Sequence, residues 1–313
     1  MEKLKLMSAS ELERKVLPPA NWAIKDFMPE GLTILAGAPK SGKSILALNI
    51  ALALSSETEV IGKKGTALKR VLFLPYEDTE RRLQDRIIRN KKGLSIKNDP
   101  QTFFMDGCNP PKLDNLELSR IGQMIKENKI DLMIIDTLGM SVKNTRKKGL
   151  SSYMDEYELL NQFQRFALDQ NISVLILHHT RKMKADSVFD EISGTRGITG
   201  AADANFVLQK NKMSGYLAIQ GRDLEDQNFE LEFDKENLTW KFKGIMNSIR
   251  LTPEQQSIID AFENDTEKEL KPNEIAHILA KDDTNIRPTI IKLKELGLLS
   301  QSAYGKYKLT LIN

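Results

Sequence analysis

The chain has 313 residues, a single cysteine, and 46 Lys/Arg against 43 Asp/Glu, which leaves a net charge of +3. That length suits one large domain plus a small appendage, while lone Cys108 excludes an intrachain disulfide or a cysteine metal cluster, and three histidines leave little for a zinc site. No apolar run reaches the roughly 18 to 20 residues of a membrane span, and the first residues alternate charge without a secretory apolar core, so a soluble cytoplasmic protein is expected.

Ser8 and Glu11 make a capping-box pattern for a short first helix, with Pro18 and Pro19 expected to end it. An alternating core follows. Continuous apolar runs predict strands at Leu32 to Ala36, Val71 to Leu74, Thr102 to Met105, Leu132 to Ile135 and Ile172 to Leu177, separated by helices near 42–55, 79–92, 115–128 and 151–170. Continuous rather than alternating apolar strands imply burial on both faces, the pattern of a parallel sheet covered by helices. From Asn205 shorter strands at Asn205 to Gln209, Tyr216 to Gln220, Phe229 to Phe233 and Leu238 to Phe242, joined by polar turns, predict an antiparallel extension of that sheet. Beyond a boundary near Asn247 to Pro253, three helices (Glu254 to Glu263, Asn273 to Ala280, Asn285 to Leu296) and a hairpin turning at Ala303 to Gly305 read as a winged helix. The organisation expected is therefore an N-terminal segment 1–20, an α/β core 21–247 with a mostly parallel central sheet, and a winged-helix-like domain 251–313. That last domain holds eight Lys/Arg and ten Asp/Glu, net −2, leaving +5 for residues 1–250. Any footprint for phosphate lies in the larger part.

Gly37-Ala38-Pro39-Lys40-Ser41-Gly42-Lys43-Ser44 spells G-x-x-x-x-G-K-S between the first core strand and the apolar stretch Ile45 to Leu54. Glycines permit backbone conformations in which consecutive N–H groups face phosphates, and the following helix adds the positive end of its dipole. Lys43 would reach the β and γ phosphates of ATP, and Ser44 would place its hydroxyl on Mg²⁺. Asp136 ends a buried strand at the carboxyl edge, where α/β sheets bind ligands, and is the candidate to complete the Mg²⁺ shell. Hydrolysis needs a group to orient and deprotonate water, for which Glu77, just past the strand ending at Leu74, is favoured; its neighbour Asp78 competes and is otherwise the cap of the helix starting near Thr79. Strand alternation sends His178 and His179 to opposite faces, so one is expected to sense the phosphate. His179, nearer the loop, is preferred, with His178 a satisfied structural residue.

These motifs, with His179-Thr180-Arg181 and Ser193-Gly194-Thr195-Arg196-Gly197, resemble RecA-like ATPases, most closely the RepA-type replicative helicases of plasmids and phages, over roughly residues 20–245. The resemblance implies a RecA-like P-loop fold, Glu77 as catalytic base, Asp136 in the metal shell, His179 as γ-phosphate sensor, and a ring hexamer with ATP between subunits. A ring of this kind needs a cation reaching into a neighbour's site, for which Arg222, Arg196 and Arg181 are candidates. Single-stranded DNA would thread the centre, met by loops bearing Lys143, Arg146, Lys147, Lys148, Arg181, Lys182 and Lys184; Phe189 is their one aromatic, so sequence preference is not expected. In the third C-terminal helix Arg287, Lys292 and Lys294 would face DNA, or the module would bind a protein partner. Loader, primase or initiator proteins are expected to be separate chains, with no membrane partner. The function expected is an ATP-dependent helicase or translocase on single-stranded DNA in replication of a plasmid, phage or mobile element. The alternatives are a RecA-like regulatory or recombination-mediator ATPase without unwinding activity, and a monomeric small-molecule P-loop kinase.

Overall fold

A computed structural model describes residues 6–17, 21–65, 67–142, 152–180, 189, 200–245, 253–262, 268–295, 298–303 and 305–310. The chain forms two compact units, Met1–Ile245 and Met246–Asn313. In the first, chain order runs α1 (Ala9–Glu13), β1 (Trp22–Ile24), β2 (Met28–Pro29), β3 (Gly31–Gly37), α2 (Lys43–Leu54), β4 (Val71–Pro75), α3 (Glu80–Gly93), β5 (Thr102–Phe104), a 3₁₀ turn (Met105–Cys108) and α4 (Asn115–Asn128). It continues through β6 (Leu132–Asp136), α5 (Leu138–Ser141), α6 (Ser152–Gln170), β7 (Ser173–His179), β8 (Ala204–Asn211), β9 (Ser214–Gly221), β10 (Leu224–Asp234) and β11 (Thr239–Ile245).

Nine strands make one sheet in the order β11-β10-β9-β8-β3-β7-β6-β4-β5. Strands β8 through β5 run parallel, and β9, β10 and β11 extend the sheet antiparallel beyond β8. Every residue of β3, β4 and β6 is buried. The pleat divides them between two cores: Leu35, Leu132, Ile134, Leu175 and Leu177 pack on the face that holds α2, whereas Leu32, Ile34, Met133, Ile135 and Ile176 pack with α4 and α6. Helix α2 is buried over most of its circumference, from Leu46 through Leu54, because it packs against β3, β4, β6, β7 and β11 of the sheet and against α3.

Three expectations change. Helix α1 carries its capping box, Ser8 with Glu11, but ends at Glu13 with no buried residue, well before Pro18 and Pro19, which lie outside the described residues. Without an apolar face to bury, one cap supports little more than a turn. Strand β5 stops at Phe104 and is only partly buried, since it is the sheet's edge. The cap of α3 is Thr79, whose side chain accepts from the Arg82 N–H, and not Asp78.

In the second unit α7 (Pro253–Asp260), α8 (Pro272–Ile278) and α9 (Asp283–Glu295) precede an antiparallel hairpin, β12 (Leu299–Ala303) with β13 (Lys306–Leu309). Ile258, Phe262, Ile275, Ile286, Ile290 and Leu293 form its own apolar core. Leu270 and Tyr307 exchange backbone hydrogen bonds at 3.0 and 2.9 Å, which tethers the stretch before α8 to the hairpin. Among the described residues no helix is long and apolar enough to cross a membrane.

Candidate functional site

Strand β3 delivers Gly37 to the carboxyl edge of the sheet, level with His179 of neighbouring β7. From there the chain must turn sharply into α2. A side chain at Gly37 would stand 2.5 Å from the Leu208 carbonyl and 2.9 Å from Ser41 Oγ, so the loop closes only with glycine. Gly42, at φ +94°, is the N-cap of α2 and offers no side-chain cap, leaving the first-turn N–H groups without a side-chain acceptor. Lys43 folds back over the loop: its Nζ donates to the carbonyls of Gly37 (2.7 Å) and Ala38 (2.9 Å) and lies 3.5 Å from His179 Nδ1. Burial lowers its pKa to about 8, against the pull of Asp136 and Glu77 in the other direction.

The carboxylates arrive from the two adjacent strands. Pro75 of β4 pairs with Asp136 of β6, and the Tyr76 N–H donates to the Asp136 carbonyl at 2.8 Å, which puts Glu77 beside the end of β6. Thr137 Oγ1 donates to Glu77 Oε1 at 2.8 Å, and His179 Nε2 stands 3.8 Å from the same oxygen. Glu77 is thus oriented by a hydroxyl and faces solvent with roughly two-fifths of its side chain (41 %) exposed, as a group serving an incoming ligand should. Asp136 is 1 % exposed and its Oδ1 has no hydrogen-bond partner. Burial pushes its carboxyl up to about 7, opposed by the Ser44 hydroxyl and the Arg86 charge, while Asp78 and Glu77 add to the rise. Asp78 itself is engaged: it pairs with Arg82 at 3.2 Å and with Arg86, and its side chain is 6 % exposed. Held in that way it is poorly placed to take a proton from water, which favours Glu77.

His178 and His179 do diverge. His179 is exposed among Lys43 and Glu77, whereas His178 turns inward with Nε2 buried and unpartnered, so the expectation of a satisfied structural histidine fails. Its pKa drops to about 4, first through burial and then through the His179 and Lys43 charges. Arg222 sits far from this edge. At the end of β9 it donates to Asp203 Oδ1 at 2.9 Å and to the Gly200 carbonyl at 3.1 Å, and Asp203 in turn accepts from the Leu32 N–H at the opposite, amino end of β3. Arg196 and Arg181, with Ser193 to Gly197, Lys143, Arg146, Lys147, Lys148, Lys182 and Lys184, lie outside the described residues. Phe189 packs against the core beside α6.

Several contributors escaped the sequence reading. Thr137 could have been suspected from its place directly after Asp136. Lys210 and Lys212 had no local signal: β8 ends beside the loop, so they share with Gly37 to Ser41, Thr180 and Gln209 the lining of a cavity of ≈ 490 Å³. The sites for ATP and Mg²⁺ can be tested against these residues. Ser41 Oγ and Asp136 Oδ1 are buried polar atoms lacking partners, and Ser44 with Asp136 supplies the hard oxygen ligands that Mg²⁺ prefers. The residues fit the group.

A glycine loop between buried strand and helix, a lysine over it and two carboxylates on neighbouring strand ends define a P-loop ATPase domain. The family described as AAA domain matches residues 2–185, more than half of the chain, and the chain belongs to it. Among curated proteins none matches. The matched range holds Lys43, Glu77, Asp136 and His179 and ends before β8 to β11.

Proposed function

We propose that this chain is an ATPase stimulated by single-stranded DNA, acting as a ring-forming translocase or helicase in replication of a plasmid, phage or mobile element. The observation that carries the hydrolytic part is the meeting of Lys43, Glu77 and His179 at one sheet edge, with Glu77 aimed by Thr137. Lys43 leaves the Gly37 and Ala38 carbonyls to neutralise the β and γ phosphates of ATP. Glu77 takes the proton of the attacking water, and His179 reports the γ-phosphate. Ser44 and Asp136 would hold Mg²⁺, which supplies charge neutralisation across the phosphates. Positioning of this kind, with charge stabilisation, accounts for most catalysis of phosphoryl transfer.

The DNA part is supported by the resemblance and by the positive balance of residues 1–250 against the net −2 of residues 251–313, with cationic stretches following in sequence the strands that bear Asp136 and His179. The C-terminal unit, three helices followed by a hairpin, fits a winged helix in its order of elements. We assign it to contact with DNA or a replication partner.

The deciding experiment measures ATP hydrolysis with and without single-stranded DNA, on protein whose mass is read in the same buffer with a nonhydrolysable ATP analogue. Stimulation together with a hexamer mass, abolished by Lys43→Ala, is the expected result. Stimulated hydrolysis without separation of a forked duplex would favour the regulatory or recombination-mediator ATPase. A monomer indifferent to DNA would overturn the proposal in favour of a small-molecule kinase.

A further inference from the structure

We infer that Trp240 is a positioning residue for the nucleotide loop, held in place by a buried pair of asparagines, so that the β10–β11 hairpin sets the affinity for nucleotide; this rests on the nucleotide reading of the loop.

Trp240 lies on β11, 198 residues from the loop it touches. Its indole Nε1 donates to the Gly42 carbonyl at 3.3 Å, and its ring carbon Cζ2 stands 3.0 Å from where a Cβ on Gly42 would be. The conformation of Gly42 and the face of the indole are therefore fitted to one another. On its other side the ring meets Gly215, where a Cβ would come within 2.3 Å of Cζ3, so β9 leaves room for it only through a glycine. The Lys210 ammonium, which lines the cavity beside the loop, lies 3.6 Å from the Phe233 ring centroid and 5.4 Å from that of Trp240.

Behind Trp240 stands a polar set in otherwise apolar surroundings. The Trp240 backbone N–H donates to Asn49 Oδ1 at 2.9 Å, and Asn49 Nδ2 donates to Asn90 Oδ1 (2.5 Å) and to the Leu238 carbonyl (3.1 Å). Asn90 Nδ2 reaches the same carbonyl at 2.9 Å. Both asparagines are fully buried. Two amides are costly to bury unless their bonds are made, and once made they admit one arrangement only. Asn49 belongs to α2, which Gly42 caps, and Asn90 to α3, which follows Glu77. The pair thereby fixes the hairpin to both helices that bear on the site, and Trp240 passes that fixed position to Gly42. Because β11 lies beyond the matched range 2–185, the device belongs to the part of the chain that the family description does not cover.

The test begins with Trp240→Phe, which keeps an aromatic ring against Gly42 and Gly215 and removes the indole donor. We expect the Kd for ADP and the KM for ATP to rise roughly three- to tenfold, the loss of about one hydrogen bond, with a smaller change in kcat. A role confined to packing would leave both constants unmoved. The second measurement uses Trp22→Phe, in which Trp240 is the remaining tryptophan of the two. Its emission should shift on saturation with ADP and Mg²⁺ and should stay still in the same chain carrying Lys43→Ala. Unchanged Kd and KM in Trp240→Phe overturn the inference alone. Should that variant fail to fold, an emission from Trp240 that ignores bound ADP does so instead. Failure of the unaltered chain to bind ADP overturns the nucleotide reading and this inference with it.

Discussion

Glu77 and Thr137 show how the site depends on single atoms. The 2.8 Å bond from Thr137 Oγ1 fixes Glu77 Oε1, so Glu77→Gln should retain nucleotide binding and lose at least about a hundredfold in hydrolysis, the scale of general-base contributions. An active Glu77→Gln protein would transfer the base to Asp78. Thr137→Val should lower kcat and leave the Kd for ADP alone, since the hydroxyl acts on the carboxylate and not on the loop. His178 makes a prediction about pH. Its pKa falls from 6.5 to about 4 on folding, so the unfolded chain binds a proton that the folded chain refuses. Stability from the neutral imidazole is complete above pH 6.5 and is lost as pH falls toward 4, on the order of 3 kcal/mol for this group. Urea unfolding at pH 7 and pH 4.5 should show a steeper loss for the natural chain than for His178→Gln; equal losses would refute it.

The elements act mainly through where they bring their ends. Strands β3, β4, β6 and β7 are read easily as apolar runs, and because they are parallel neighbours their carboxyl ends gather the loop, Glu77, Asp136 and His179 on one edge. Helix α3 is different. Its last residue, Gly93, touches the β10–β11 turn so closely that a Cβ would lie 2.6 Å from Asn237 Cβ and 2.7 Å from Thr239 Cγ2. Alanine is the better helix former by nearly 1 kcal/mol, yet Gly93→Ala should destabilise the fold by about 1 to 3 kcal/mol through overpacking. Denaturant midpoints measure this, and a stabilised Gly93→Ala would mean that α3 and the hairpin are free to separate.

At the scale of the whole molecule, the proposed ring would decide how Arg222 is used. In the single chain it is tied to Asp203 at the edge of the sheet away from the loop, in an ion pair half exposed on the arginine side and worth no more than about 1 kcal/mol. That hold is weak enough to be surrendered to a neighbour's phosphate. If Arg222 serves in trans, mixing Arg222→Ala with Lys43→Ala subunits should restore part of the ATPase activity that each lacks alone, because some interfaces then unite an intact Lys43 with an intact Arg222. No recovery at any ratio would mean that Arg222 and Lys43 do not act across a shared interface. The sequence by itself determined the ATPase class and the parallel core, and it named Lys43, Ser44, Glu77, Asp136 and His179, which the fold gathers at one edge, because a glycine loop between an apolar strand and helix is local chemistry and a doubly buried strand writes its burial into consecutive residues. It also marked the antiparallel extension and the order of the C-terminal elements. Only the tertiary structure decided that Thr137 orients Glu77, that Asp78 is locked by Arg82 and Arg86, that His178 turns its Nε2 into a buried position without a partner, and that Lys210, Lys212 and Trp240 stand at the loop. Those contacts join residues up to 198 positions apart, and no pattern along the chain records a distance that the sheet's strand order alone creates.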